Sequence, residues 1–212
     1  MAFQTLASAD GLQWLSIFIK AIGYAATIVA SGSVLILVTL RSLDDDNRHA
    51  VLRLAVGAAL LAAVVSPLQI PIRASFLMGG SIDGATNPVL LVMVADSPIG
   101  TSIALRLLGL GLILSLVLPH RASLWVATAG AMLTCVSFAL QGHALRDPRP
   151  VLGLLITLHI MALAFWVGAF APLLRTLQHG NAAQVGKMAH EFGQKALWVV
   201  AGLVIVGAMT LG

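Results

Sequence analysis

Two histidines, a few methionines and one arginine are the residues of this 212-residue chain whose chemistry does not fit their surroundings. His143 lies in Gln141-Gly142-His143-Ala144 and His159 in Leu158-His159-Ile160-Met161, both within largely apolar sequence. Neutral imidazole is the commonest protein metal ligand and also relays protons. Met78, Met93, Met132 and Met161 add thioethers, and thioether together with imidazole suits Cu(I) far better than Mg or Ca. Met78 and Met93 stand beside Gly and Asp turns, whereas a Met within a long apolar run is usually core filler. Met161 points about 200° round its helix from His159, so the two cannot share a face, while Trp166 shares the His159 face.

Arg106 is the sharpest misfit, because it falls near the middle of the uncharged run 97–118. A charge at the bilayer centre costs roughly 2.5–3.5 kcal/mol on insertion scales. Arg106 therefore needs the bundle interior, water or an acidic partner, and Asp96 and Asp83 are the candidate counter-charges. A structural ion pair and a gating charge are equally open. Lys20, near a helix end, is placed to snorkel. His49, His120, His179 and His190 fall in or beside loops and read as solvated. Cys135 is the single cysteine, so it forms no internal disulfide and reads as a small buried hydrophobe.

The elements that carry these residues follow from composition. The chain is 59% hydrophobic and 9% charged, against about 25% charged in an ordinary soluble domain. So few charges cannot cover a water-facing surface, and the scattered Lys and Arg form no nucleic-acid stripe. Runs matched to the roughly 20 residues of a spanning helix give spans at 14–40, 50–70, 98–118, 122–145, 151–175 and 196–212. Period-2 alternation is absent, so a β-barrel is rejected. The expected fold is all-α, a polytopic bundle of about six membrane helices forming one domain over 1–212. Glycine-rich stretches such as Gly109-Leu110-Gly111 suit close helix packing.

Residues 67–97 are the irregular part. Pro67 and Pro71 are expected to kink or end the second helix, and Gly79-Gly80, Gly84 and Pro88 mark turns. Residues 89–95 are too short to span, which predicts a re-entrant or interfacial helix on the outward side. Residues 175–195, with Arg175, Lys187 and Lys195, are expected along the cytoplasmic surface. The turn Arg146 to Pro150 makes the fourth and fifth helices antiparallel, which puts His143 and His159 in the outer half, roughly 10 Å apart in depth.

Basic residues set the orientation. Arg41, Arg48, Arg53, Arg121, Arg175, Lys187 and Lys195 lie on one side, and Lys20, Arg73, Arg146 and Arg149 on the other. The richer side is cytoplasmic, so the N-terminus faces the periplasm. The first 13 residues carry no Lys or Arg and lack the basic start of a cleavable signal. Walker loops, zinc-protease pairs and nucleophile elbows are missing, and the chain is not expected to be an enzyme.

At these residues the chain resembles the copper-resistance D (CopD/PcoD) family of bacterial inner-membrane proteins. The resemblance runs through Gly142-His143-Ala144, Leu158-His159-Ile160 and Ala164-Phe165-Trp166-Val167-Gly168-Ala169. Weaker likenesses are Ser97-Pro98-Ile99-Gly100 with Arg106, Phe192-Gly193-Gln194-Lys195-Ala196, and Lys20 with Tyr24 and Gly32. It implies a protein that passes copper, as Cu(I), from periplasm toward cytoplasm. His143 and His159 become the metal ligands, Met78 and Met93 the outer acceptors, and Arg106 with Asp96 a structural or gating charge. A periplasmic copper-binding protein is the implied partner, besides the lipid bilayer. Members often have more spans, and this chain stops at Leu211-Gly212 inside an apolar run, as a short member or a truncated chain does. Two other classes remain open: a single-haem b-type cytochrome ligated by His143 and His159, and a membrane scaffold that moves no metal.

Overall fold

The first helix, α1 (Gly11–Thr39), has Lys20 as its one charge. The computed structural model describes residues 11–120, 122–141 and 149–209. After a short link, α2 (Asp45–Val65) begins on an N-cap, the Asp44 carboxylate accepting from the Asn47 amide, with Asp45 and Asp46 in the first turn. Acids there satisfy free amides and complement the helix dipole. The helix therefore starts five residues before the position 50 expected from hydropathy, and the aspartates counted as loop charges belong to it.

Pro67 does not end the path. A 3-10 turn, Ser66–Leu68, carries Pro67 near its start, and α3 (Gln69–Leu77) follows at once. Pro71 sits in the first turn of α3, where a missing N–H costs nothing. Asp45–Leu77 is thus one 33-residue apolar path with a local tightening. Gly79 and Gly80 then take positive φ of 66° and 88°, a turn that favours glycine. Two short helices follow, α4 (Ile82–Thr86) capped by Ser81 and α5 (Pro88–Ala95) capped by Asn87. The irregular segment is therefore made of short capped helices, broken where Gly79, Gly80 and Pro88 mark turns.

The next helix, α6 (Pro98–Ile113), tightens into a 3-10 turn at Leu114–Val117. It is followed by α7 (Ser123–Ser137), which ends in a second tightening at Phe138–Leu140. The last two are α8 (Arg149–His179) and α9 (Ala182–Met209). Among the described residues, five helical paths are long and apolar enough to cross a membrane: Gly11–Thr39, Asp45–Leu77, Pro98–Val117, Ser123–Leu140 and Val151–His179. Of the expected sixth span, residues 196–209 fall in the second half of α9, which starts well before position 196 and is not among these five; residues 210–212 lie outside the described residues. Residues 175–195 form the end of α8, a tight turn and the first half of α9.

The centre of the bundle is α1. Its apolar stretch is 56% buried, against 22% for that of α8, and it packs against α2, α3, α6, α7 and α8. Contact is close because the facing residues are small: Ala26, Ala30, Ala55, Ala59, Ala62, Ala127 and Ala131 form much of one core cluster. At the α1–α8 crossing a Cβ on Gly32 would overlap the Ala164 carbonyl, and one on Gly168 would overlap the Gly32 backbone. The α6–α7 crossing is built the same way, with Gly109 against Gly130. In lipid no hydrophobic force drives helices together, so this backbone approach supplies the van der Waals contact that does.

On the side of the bundle away from α4 and α5, Asn47 and α9 fasten the ends. The Asn47 amide donates to Thr176 Oγ1 at 3.0 Å, and Arg175 Nε donates to Asn47 Oδ1 at 3.3 Å. Glu191 of α9 accepts from the Arg41 and Ser42 amides at 2.8 and 2.9 Å, one on each carboxylate oxygen.

Candidate functional site

Arg106 is fully buried on α6. Its Nε donates to Ser137 Oγ at 3.2 Å. The guanidinium carbon lies 4.5 Å from the centre of the Phe138 ring and 5.0 Å from that of Tyr24, and the two rings meet edge-on at 5.2 Å. A cation over aromatic faces is stabilised by the ring quadrupoles, more so when desolvated. The two terminal nitrogens, Nη1 and Nη2, have no hydrogen-bond partner among the described residues.

A circuit of hydrogen bonds surrounds the guanidinium. The Tyr24 hydroxyl donates to Gln141 Oε1 at 2.9 Å, and Gln141 Nε2 donates to Ser102 Oγ at 2.8 Å. Ser102 Oγ then donates to the Ser137 carbonyl at 2.6 Å, and Ser137 Oγ to the Thr134 carbonyl at 2.6 Å. One turn deeper, Ser31 and Thr134 hydroxyls meet at 2.6 Å. These bonds tie α1, α6 and the end of α7 at one level, and they satisfy groups that hydrocarbon cannot.

A cavity of about 200 Å³ is lined in part by Tyr24 and Gln141. Ser16 and Lys20 from α1, and Gln69 and Arg73 from α3, complete its polar lining. Gln69 is 5% exposed and its Nε2 has no partner.

The acids expected to neutralise Arg106 are elsewhere. Asp96 is exposed at the C-cap of α5, and Asp83 is exposed in the first turn of α4. Burying either acid would forfeit its hydration, and ring faces with a hydroxyl serve the cation instead. Met78, at the end of α3, is 47% exposed and Met93, on α5, is 51% exposed. His159 lies on an exposed face of α8 with Trp166. Its helix has no extensive packing against α3, α4 or α5, so the structure does not bring His159 to the two methionines. His143 lies outside the described residues. Among the described residues, no group of three or more His, Cys, Asp or Glu is placed to hold a metal ion.

Sequence reasoning singled out Arg106 but missed Ser102, Ser137 and Phe138 as its surroundings. A signal was present: Ser102 is one turn before Arg106, and Thr134, Ser137 and Gln141 recur at intervals of three and four residues in the sequence at the end of α7.

Apolar helices joined by small-residue crossings, around a largely buried polar network, define a polytopic α-helical membrane protein. The copper resistance protein D-like, N-terminal domain, matches residues 9–153, and the chain belongs to this family. No curated protein and no solved structure matches the chain. The matched region contains α1 to α7 and the whole Arg106 circuit, and it ends before His159. The resemblance first seen across Gln141 to Gly168 is thus carried by the family match only in its N-terminal part.

Proposed function

We propose that this protein handles copper at the bacterial inner membrane, taking Cu(I) from the periplasmic side and passing it toward the cytoplasm. The observation that carries this reading is the family match over residues 9–153, a copper-resistance domain. Exposed thioethers at Met78 and Met93 support a first contact with the metal in the outward segment, because Cu(I) favours soft sulfur donors. His159 is accessible on α8, and with His143 it serves as the next ligand set. Arg106 binds no copper, since a guanidinium has donors only; it holds α1, α6 and α7 in register. The N-terminus faces the periplasm, a periplasmic copper-binding protein delivers the ion, and the protein catalyses no reaction of its own.

The test is stoichiometry. The purified chain is equilibrated with Cu(I) under reducing conditions, alongside the His143→Ala/His159→Ala and Met78→Leu/Met93→Leu double variants. Bound copper is expected to fall in both. Equal stoichiometry in all three proteins removes these residues as ligands.

A further inference from the structure

At the end of the bundle where α2 begins, a cleft of about 930 Å³ opens between α2 and the turn from α6 to α7. Its walls are apolar, Val56 standing beside Leu37 and Leu116, which are only 4% and 8% exposed. Gly57 widens it, since a Cβ there would meet nothing within 4 Å. Basic side chains share this apolar cleft: Arg48, His49 and Arg53 from α2 and His120 from the turn. The described lining residues include no carboxylate. Among the described residues neither guanidinium has a hydrogen bond or an ion pair, and Asp46, in the adjoining cleft with Arg53, does not pair with it. His49 donates from Nδ1 to the Asp45 carbonyl at 2.7 Å, and His120 Nδ1 accepts from the Ala122 amide at 3.1 Å. Neutral His120 therefore brings an N–H at Nε2, and neutral His49 an acceptor there.

We infer that this cleft is a binding site for an anionic phospholipid, its phosphate held by Arg48 and Arg53 and an acyl chain laid over Gly57 between α2 and the end of α6. Neither half of the cleft names this occupant alone. A soluble anion would satisfy the guanidinium groups but leave the apolar wall uncovered. A neutral lipid would cover the wall but leave two cations without a counter-charge at the edge of the bilayer, where the dielectric is lower than in water and charge pairing is worth more. Arg binds phosphate through two parallel N–H donors and is weakly hydrated, which suits that boundary. Arg53 lies about two turns into α2, a depth from which a long basic side chain snorkels to headgroup level. Basic pockets between membrane helices are a known setting for anionic headgroups.

The experiment uses the full chain in a neutral, lipid-free detergent. The probes are phosphatidylglycerol, phosphatidylethanolamine of the same acyl chains, and glycerol 3-phosphate, which has the charge without the chains. Binding is read as lipid retained in native mass spectrometry and as a saturable rise in Tm. Phosphatidylglycerol is expected to bind about tenfold or more tighter than phosphatidylethanolamine, and glycerol 3-phosphate to leave Tm unchanged. Two variants separate the halves of the site. Arg48→Gln/Arg53→Gln changes exposed side chains that the fold does not use, and should weaken phosphatidylglycerol binding about tenfold or more, as loss of charged hydrogen bonds implies. Gly57→Leu keeps every charge but fills the open groove, and should weaken it about fivefold or more, as loss of one or two buried methylenes implies. Absence of phosphatidylglycerol binding overturns the inference, as does equal affinity for the two lipids or equal affinity in wild type and the arginine variant. A Gly57→Leu protein that binds like wild type, or a response to glycerol 3-phosphate as large as that to the lipid, overturns it too, because surface charge alone then accounts for the binding. None of these readouts involves copper, so they stand or fall apart from the copper reading.

Discussion

At the residue scale, the fate of Arg106 shows how a lone cation is accommodated inside an apolar bundle. Its stabilisation is divided among Ser137, two ring faces and a chain of hydrogen-bonded neutral groups. Two substitutions separate these contributions. Ser137→Ala removes the acceptor of the charged Nε and should cost about 1.5–3 kcal/mol, the range for hydrogen bonds to charged groups. Tyr24→Phe keeps the ring over the guanidinium but breaks the bond to Gln141, and should cost about 0.5–1.5 kcal/mol. Unfolding in mixed micelles measures both; equal losses would mean that the hydroxyl of Ser137 has no special claim on the cation. The burial of Arg106 was legible in its position within an uncharged run. Its partners were not, because sequence offers acids as the obvious counter-charges, while aromatic faces and hydroxyls become partners only through tertiary placement.

At the scale of the elements, close crossings and anchored ends hold the bundle. A methyl group at Gly32 has no room against the α8 backbone, so Gly32→Ala should destabilise by about 1–3 kcal/mol, as overpacking does. Gly57 and Gly111 have open space at the corresponding position, and their replacement by Ala should be neutral or stabilise by about 0.5–1 kcal/mol, since Gly is costly in a helix interior. A common response at all three sites would remove the crossing as the cause. Glu191 supplies the pH-dependent anchor. Burial raises its carboxyl pKa, but the Ser42 side chain, the Arg41 and Ser42 amides and the charge of Lys195 more than offset this and hold it below the usual value. A carboxylate depressed in the folded state contributes stability above its unfolded pKa of about 4.3 and loses it as pH falls through the folded value. Melting temperatures of wild type and Glu191→Gln should therefore differ near neutral pH and converge in acid; a constant difference across that range would contradict the anchor. Most spans were readable from uncharged runs, because desolvation of a charge dominates in lipid. The start of α2 was not, since Asp44 to Asp46 count as loop charges in hydropathy yet act as cap and first turn. The passage through Pro67 was missed for a related reason: proline forbids one hydrogen bond, and a short 3-10 turn supplies the path without it.

For the whole molecule, the proposed arrangement in the membrane rests on the distribution of basic residues, and under the proposed function it sets which end meets copper. In a Cys135→Ser background, Ile82→Cys should react with an impermeant thiol reagent in intact spheroplasts, and His49→Cys only after permeabilisation. The reverse pattern would invert the proposed orientation. The class of the protein was legible from charge scarcity alone, and the family from a few short motifs. The candidate copper ligands were harder to judge, because His159 and the two methionines lie on elements that do not pack together, and pairwise spacing along a chain says nothing about that. The most direct test of copper passage is uptake by proteoliposomes that hold a Cu(I)-sensitive fluorescent chelator inside and meet Cu(I) outside. Vesicles with the wild-type chain should fill faster than protein-free vesicles and faster than vesicles with the His143→Ala/His159→Ala variant. Wild-type filling no faster than protein-free vesicles would contradict copper passage by this protein.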